Sequence, residues 1–362
     1  MVLYVGLILS NLIVGYFLKE FRFKSWKKLH CIFITVICIF FAAFRKYTVG
    51  ADTKQFVLIF DSIVGSNCNY IQFKNSRIEP GFFYLCKILG LISHDWQILI
   101  AFCSLFSLAV LGWFIYRNSK NTILSYSLFI GFQYYAFWLT AMRQIIAISI
   151  ILIAFENFLK KKKIIPFLIF VVLATLFHRS AIICILFWPF YMVRDKKILY
   201  TVSASVAFFL LFSRDLFLWI VNTFNYSAYI GSEFDSSNFF AAVIKFILSL
   251  IFFIFSAFCL WKKEDETKEP NNDMQKFLLL SGFISALLSL VSIQVTLFER
   301  VGQYFNYFCI LLLPNVLFER RVKNQRWLVA LSLHILSVLY CAIVLTYRPE
   351  WSYVVPYSFF WN

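Results

Sequence analysis

The sequence predicts an all-α, polytopic transmembrane helix bundle, and three observations carry that reading. Of 362 residues, 61% are hydrophobic and only 14% charged, whereas a soluble domain carries about a quarter charged residues. Apolar stretches of roughly 16 to 23 residues recur along the chain, each bounded by a charge, an Asn or a Pro, and about 20 residues cross a bilayer. The Lys and Arg residues sit in short clusters between these stretches and not along one face. The net charge of +16 therefore reads as a set of topology signals, and nucleic acid is set aside as a partner.

Taken in order, the apolar stretches place helices at 2–18, 29–44, 96–116, 122–140, 142–159, 164–177, 180–193, 198–213, 239–261, 276–298, 301–318 and 327–347. That is about 12 spans in a single transmembrane domain over residues 1–362. Residues 2–18 read as a retained helix, because no basic region precedes them and no small-residue cleavage site follows. Most of the Lys and Arg fall in the short loops 19–28, 117–121, 160–163, 194–197, 262–275 and 319–326, which places those loops in the cytoplasm and both termini outside. The extracytoplasmic loops 45–95 and 214–238 are long. Within the first, 53–64 and 80–92 are apolar but too short to span, and read as interfacial or re-entrant helices. The loop 262–273 is charged and reads as a cytoplasmic linker. The nine cysteines lie mostly inside apolar stretches with no Cys-x-x-Cys pair, so no zinc site or disulfide framework is indicated, although Cys68 and Cys86 could pair in one outer loop.

On this topology the charges at helix ends gather on the outer side: Arg45, Asp52, Glu79, Arg143, His178, Arg179, Arg214, Glu299, Arg300 and Arg348. Arginine in hydrocarbon is costly, so Arg143, opening a helix beside Gln144, should face a protein cavity or an anion. Arg300 is followed by Gln303, Tyr304 and Tyr307 at offsets that share one helical face. Guanidinium forks suit phosphate oxygens and aromatic faces suit sugar rings, so this stripe fits a phosphorylated glycan; interfacial snorkelling is the plainer alternative. His178 lies in a tight turn between two apolar stretches, where a neutral imidazole can act as general base or merely be solvated. Asp52 and Glu79 each precede a helix start, a place for a capping acid as much as for a catalytic one. Lys87, Glu156 and Lys245 read as snorkelling side chains, and His334 as a packed or hydrogen-bonded residue of the bundle.

The order of these motifs resembles a known family. Arg45 with Val49-Gly50-Ala51-Asp52-Thr53, then Glu79-Pro80-Gly81-Phe82, Arg143-Gln144, the segment 174–181 around His178, and Arg300 with Tyr304 together resemble the EpsG-type branch of the Wzy-like bacterial polysaccharide polymerases. The family form has Thr where Ala51 stands. The resemblance implies a polyprenyl-diphosphate-dependent glycosyltransferase of the bacterial cytoplasmic membrane. Its reaction would polymerise undecaprenyl-diphosphate-linked oligosaccharide repeat units on the outer face, for capsule, exopolysaccharide or O-antigen. It implies His178, Asp52 and Glu79 as catalytic candidates, and Arg45, Arg143, Gln144, Arg300, Gln303 and Tyr304 as substrate-binding ones. No metal or cofactor is expected; the expected partners are the lipid-linked oligosaccharides, membrane lipid and a chain-length regulator. A flippase for the same lipid-linked glycans should spread charge through the bundle toward both faces. A glycan ligase differs only in acceptor. A membrane acyltransferase and a structural scaffold account less well for the outer arginines.

Overall fold

Long apolar stretches wind into helices because lipid offers the backbone no hydrogen-bond partners, and an α-helix satisfies its N–H and C=O groups internally. The computed structural model describes residues 1–66, 69–70, 78–193, 195–212, 219, 239–264, 273–294, 297–318 and 326–361, and among these the chain is all-α, with fifteen α-helices. They are α1 (Val2–Glu20), α2 (Trp26–Ala43), α3 (Thr53–Val64), α4 (Pro80–Gly90), α5 (Gln97–Asn118), α6 (Thr122–Gly131), α7 (Tyr134–Thr140) and α8 (Met142–Ala154). They continue with α9 (Ile164–Thr175), α10 (Phe187–Met192), α11 (Lys196–Phe212), α12 (Phe239–Glu264), α13 (Asp273–Val291), α14 (Leu297–Leu317) and α15 (Arg326–Tyr347).

Among the described residues, seven helices are long and apolar enough to cross a membrane: Val2–Glu20, Trp26–Ala43, Gln97–Asn118, Met142–Leu159, Phe239–Leu260, Asp273–Val291 and Arg326–Tyr347. The chain is a multi-pass membrane protein by this composition. Its outward faces agree, since Ile13, Val36, Phe209, Ile254 and Ile343 are large, apolar and exposed, which only a lipid solvent makes cheap. Thr122–Gly131, Ile164–Thr175 and Arg179–Met192 are apolar but shorter. The stretch 122–140 was expected as one helix and is two, broken where Gln133 takes φ 66° in the left-handed region. The stretch 180–193 begins as a 3₁₀ helix, Arg179–Leu186, before the short α10. The short helices expected in the loop 45–95 are present as α3 and α4. Most of the loops 214–238, 262–273 and 319–326 lies outside the described residues, as do Cys68, Arg194 and Arg214.

The chain packs as two compact units, 1–182 with 320–362, and 183–319. In the first, α2 lies on α5, α6 on α15, α1 on both α2 and α6, and α8 on α5 and α9. A chain of buried polar groups runs through it. His30 bonds Asn11 Oδ1 through Nε2 at 2.9 Å and Thr122 Oγ1 through Nδ1 at 3.1 Å. Asn11 Nδ2 donates to Ser127 Oγ at 2.9 Å, and Ser127 meets His334 Nδ1 at 2.9 Å. His334 is thus hydrogen-bonded inside the bundle, as expected. Short interhelical bonds of this kind hold four helices together where lipid supplies no hydrophobic drive.

At the far end of α8 the backbone widens into a π-turn, Phe155–Leu159. Glu156 on that turn is buried, and its carboxylate accepts from Arg117 Nε at 2.8 Å, Asn118 Nδ2 at 3.0 Å and Lys160 Nζ at 2.9 Å. Snorkelling does not describe it: a carboxylate with three donors can stay inside the protein. Lys87 likewise donates to the Ser66 carbonyl, at 2.9 Å. In the second unit α13 packs on α10, α11, α12 and α14, and Lys245 of α12 is paired with Glu299 of α14.

Candidate functional site

The loop between α2 and α3 is built around Arg45, which is 1% exposed. Its Nε donates to the Val49 carbonyl at 3.3 Å, Nη1 to the Ala42 carbonyl and to Ser104 Oγ at 3.2 Å, and Nη2 to the Leu139 carbonyl at 2.8 Å. Burial pulls the guanidinium down to about 10, so it is still a cation at neutral pH. Thr53 Oγ1 contacts the carbonyls of both Val49 and Leu139, at 2.9 and 3.1 Å. Gly50 sits at φ +103°, and a Cβ there would stand 2.7 Å from the Leu139 oxygen, so the turn needs glycine for both its conformation and its closeness. The C-terminal tail finishes the loop, with Gly50 N–H donating to Tyr353 O at 2.8 Å, Ala51 N–H to Ser352 O at 3.1 Å and Lys46 N–H to Ser358 O at 2.9 Å.

This turn delivers Asp52 to the start of α3, and the extended backbone of Glu79, followed by Pro80, delivers Glu79 to the start of α4. Neither side chain makes a capping hydrogen bond, so the capping reading of Asp52 does not hold, while Glu79 before Pro80 marks a helix start as expected. Glu79 is used otherwise. Its Oε2 lies 2.5 Å from Arg143 Nη1, and its Oε1 accepts weakly from the Arg179 N–H at 3.4 Å. Arg143 opens α8 immediately after the Leu139 carbonyl that Arg45 and Thr53 hold. Its guanidinium stands 5.3 Å from the centre of the Phe56 ring, one turn into α3 from Asp52. The start of α4 is pinned to the end of α9 by a 2.7 Å bond from Gly81 N–H to Leu176 O, at an approach where a Cβ on Gly81 would stand 2.6 Å from that oxygen.

His178 follows directly on this contact. The side chain is buried, not solvated, and Nδ1 lies 2.7 Å from Ser180 Oγ. The first unit therefore brings Glu79 and Arg143 into an ion pair, sets His178 next to the Arg179 amide that touches Glu79, and places Asp52 one turn before the ring under Arg143. Gln144 is buried beside Arg143 on α8. Arg45 is close by in the fold, but the four groups it holds are protein oxygens. Phe56 and Ser180 were not singled out in the sequence. The i+2 spacing of Ser180 from His178 was the available signal for one; for Phe56 among many Phe residues there was none.

Arg300, Gln303 and Tyr304 belong to the second unit, on the first turns of α14. Gln303, Tyr304 and Tyr307 are buried, and Arg300 is partly exposed beside the paired Glu299. The face expected to lie at an open surface is therefore mostly packed inside. Among the described residues, no group of three or more His, Cys, Asp or Glu side chains is arranged to hold a metal ion.

What the first unit offers chemically is a cation that already holds a carboxylate and is 21% exposed, with the buried His178 one residue before the Arg179 amide that touches that carboxylate. Such a cation can exchange its carboxylate for another oxyanion. Compared with known proteins, the chain matches the sequence profile of the EpsG family over residues 7–359. Neither the curated proteins nor the solved structures contain a match.

Proposed function

The chain belongs to the EpsG family of exopolysaccharide biosynthesis, and from that premise we propose that it polymerises undecaprenyl-diphosphate-linked oligosaccharide repeat units at the outer face of a bacterial cytoplasmic membrane. In this reading a hydroxyl of the acceptor unit attacks the anomeric carbon of the donor glycan. The new glycosidic bond forms as the bond to the carrier diphosphate breaks, the proton leaves to a base, and the diphosphate leaves as an anion. Two kinds of group are required: cations for the diphosphates and a base at the acceptor.

The observation that carries the proposal is the Glu79–Arg143 pair beside His178. At rest Glu79 neutralises Arg143. A diphosphate offers several oxygens to the same guanidinium and displaces the carboxylate, which is then free to orient the acceptor. Arg143 would stabilise the leaving diphosphate as its charge grows, which is where such stabilisation lowers a barrier. His178, with Nδ1 engaged by Ser180, would take the acceptor proton through its other nitrogen. Arg300, Gln303 and Tyr304 are proposed to hold the second diphosphate and its sugar. Asp52 is the rival base. Arg45 is proposed to act through the turn it holds, and not as a ligand.

The proposal keeps the topology expected from the charge pattern, with about 12 crossings and both termini outside. Cysteine labelling from outside intact cells should modify residues placed in 45–95 and spare those placed in 160–163; the reverse pattern overturns it. For the chemistry, His178→Gln, Asp52→Asn and Glu79→Gln are compared in cells lacking the native gene, scoring long polymer against single repeat units at equal membrane abundance. General-base catalysis is worth about 100-fold to 10,000-fold, so His178→Gln should leave units almost wholly unpolymerised. Normal polymer from His178→Gln, with none from Asp52→Asn, gives the role to the carboxylate.

The polar chain of Asn11, His30, Ser127 and His334 is the one observation that favours a flippase of the same lipid-linked glycans. Where the unit accumulates separates the two. Loss of polymerisation leaves single units outside the membrane, and loss of flipping keeps them inside.

A further inference from the structure

Between α2 and α5, on the surface of the first unit, runs a groove of about 390 Å³ that the proposed chemistry does not use. Ile32, Val36 and Ile39 of α2 form one wall, and Ala109, Trp113 and Tyr116 of α5 form the other. The body of the groove is therefore hydrocarbon. One end differs in kind. Lys28 closes it, the neighbouring Lys27 ammonium lies 5.6 Å from the centre of the Tyr116 ring, and Arg117 lies 5.8 Å from the centre of the Trp113 ring. Arg117 already serves Glu156, but among the described residues no carboxylate is within ion-pair distance of Lys27 or Lys28. Two uncompensated ammonium groups thus stand over an apolar trough whose rim carries a Trp and a Tyr, the residues that settle at the level of lipid headgroups.

The geometry points to a built site for one anionic phospholipid, its acyl chain in the α2–α5 groove and its phosphate between Lys27 and Lys28. Charge selects this occupant over a zwitterionic lipid. A phosphocholine headgroup brings its own cation to the lysines, whereas phosphatidylglycerol brings net negative charge, and basic pockets between transmembrane helices on one membrane side hold anionic headgroups for this reason. The aromatic rings fix the depth at which the phosphate sits. The bound lipid would cover the exposed flanks of Ile32 and Val36 and hold α2 against α5, the helices that lead into the Arg45 loop and contribute Ser104 to it. The site stands apart from the Glu79–Arg143 pair and does not depend on the reaction assigned to it.

The test is a titration of the purified full-length protein in detergent with phosphatidylglycerol and, separately, with phosphatidylcholine of the same acyl chains, counting bound lipids by native mass spectrometry. The unmodified protein should take up one phosphatidylglycerol at concentrations where phosphatidylcholine does not bind. Lys27→Gln with Lys28→Gln should weaken that first binding on the order of tenfold. Lys27→Arg with Lys28→Arg should retain it, and so should Lys161→Gln with Lys163→Gln, which removes the same charge elsewhere. Ala109→Trp keeps both lysines but fills the trough, and should also lose the bound lipid. Equal binding of the two lipids, loss in the 161/163 variant as large as in the 27/28 variant, or full binding by Ala109→Trp each overturns the proposal.

Discussion

The two ends of α8 carry two acid–base clusters, and they are built on opposite terms. At the far end Glu156, with its side chain 3% exposed, spends both carboxylate oxygens on three donors from Arg117, Asn118 and Lys160. At the near end Glu79, 7% exposed, makes one short contact with Arg143 and one long one with a backbone amide, and Arg143 keeps 21% of its side chain exposed. The carboxylate of the first cluster is saturated by its donors, although Arg117 and Lys160 are themselves 52% and 29% exposed. The carboxylate of the second holds a cation on one oxygen and a long backbone contact on the other. A carboxylate with three donors serves as a tie between helices, whereas one held by a single cation is more easily exchanged for another oxyanion, and this contrast is the reason for proposing the chemistry at one end of the helix and the mechanical tie at the other.

The sharpest way to break this division is at Arg143. Arg143→Lys should cut polymer formation by roughly 10-fold to 100-fold, the loss expected when a forked, charge-assisted contact worth about 1.5 to 3 kcal/mol disappears, and Arg143→Ala should be little worse, because a point charge cannot reproduce the fork. Full activity of the Lys variant at normal abundance would reduce the near cluster to a structural pair.

Arg45→Lys sharpens the comparison next. A lysine cannot reach the Ala42, Val49 and Leu139 carbonyls together, so buried acceptors lose their donors at about 1 to 3 kcal/mol each, partly regained by movement of the loop. The expected result is a lower unfolding temperature of the purified protein together with lost polymer. Restored stability without restored polymer, in a second-site variant that stiffens the bundle elsewhere, would show that the loop itself matters.

Smallest is Glu156→Gln, which leaves the shape but removes the charge. Arg117 and Lys160 are partly exposed and can turn to water, so the cost is about 1 to 2 kcal/mol. Thermal unfolding should shift down while polymer made per folded molecule stays the same. A large fall in activity at normal abundance would mean that the two ends of α8 are not divided as described.

Much of this was legible before any coordinates. Pro80 after Glu79 marked a helix start, the lengths of 53–64 and 80–92 marked helices too short to span, and the charges at 79 and 143 marked side chains that do come together. What stayed hidden has physical causes. The break at Gln133 falls inside an apolar stretch, where periodicity has no polar face to register a change of direction. The burial of Glu156 could not be seen because two of its three donors lie 38 and 39 residues away in sequence on another helix. The bonds from Arg45 to three carbonyls stayed hidden because an arginine beside a glycine turn looks the same in sequence whether its fork meets a phosphate or the backbone.

The tail that closes the Asp52 loop has a consequence in time. Tyr357 donates to the Phe41 carbonyl across a separation of 316 residues, and the Gly50 and Ala51 N–H groups donate to the Tyr353 and Ser352 carbonyls. A ribosome adds about 5 to 20 residues per second, so the loop waits on the order of 15 to 60 s after its own synthesis before its partners exist. Throughout that interval the helices around it can insert and pack while the loop stays open to water, with its N–H groups bonded there. The acid at position 52 thus reaches its final setting among the last events of assembly, and a nascent or truncated chain already seated in the membrane still lacks it.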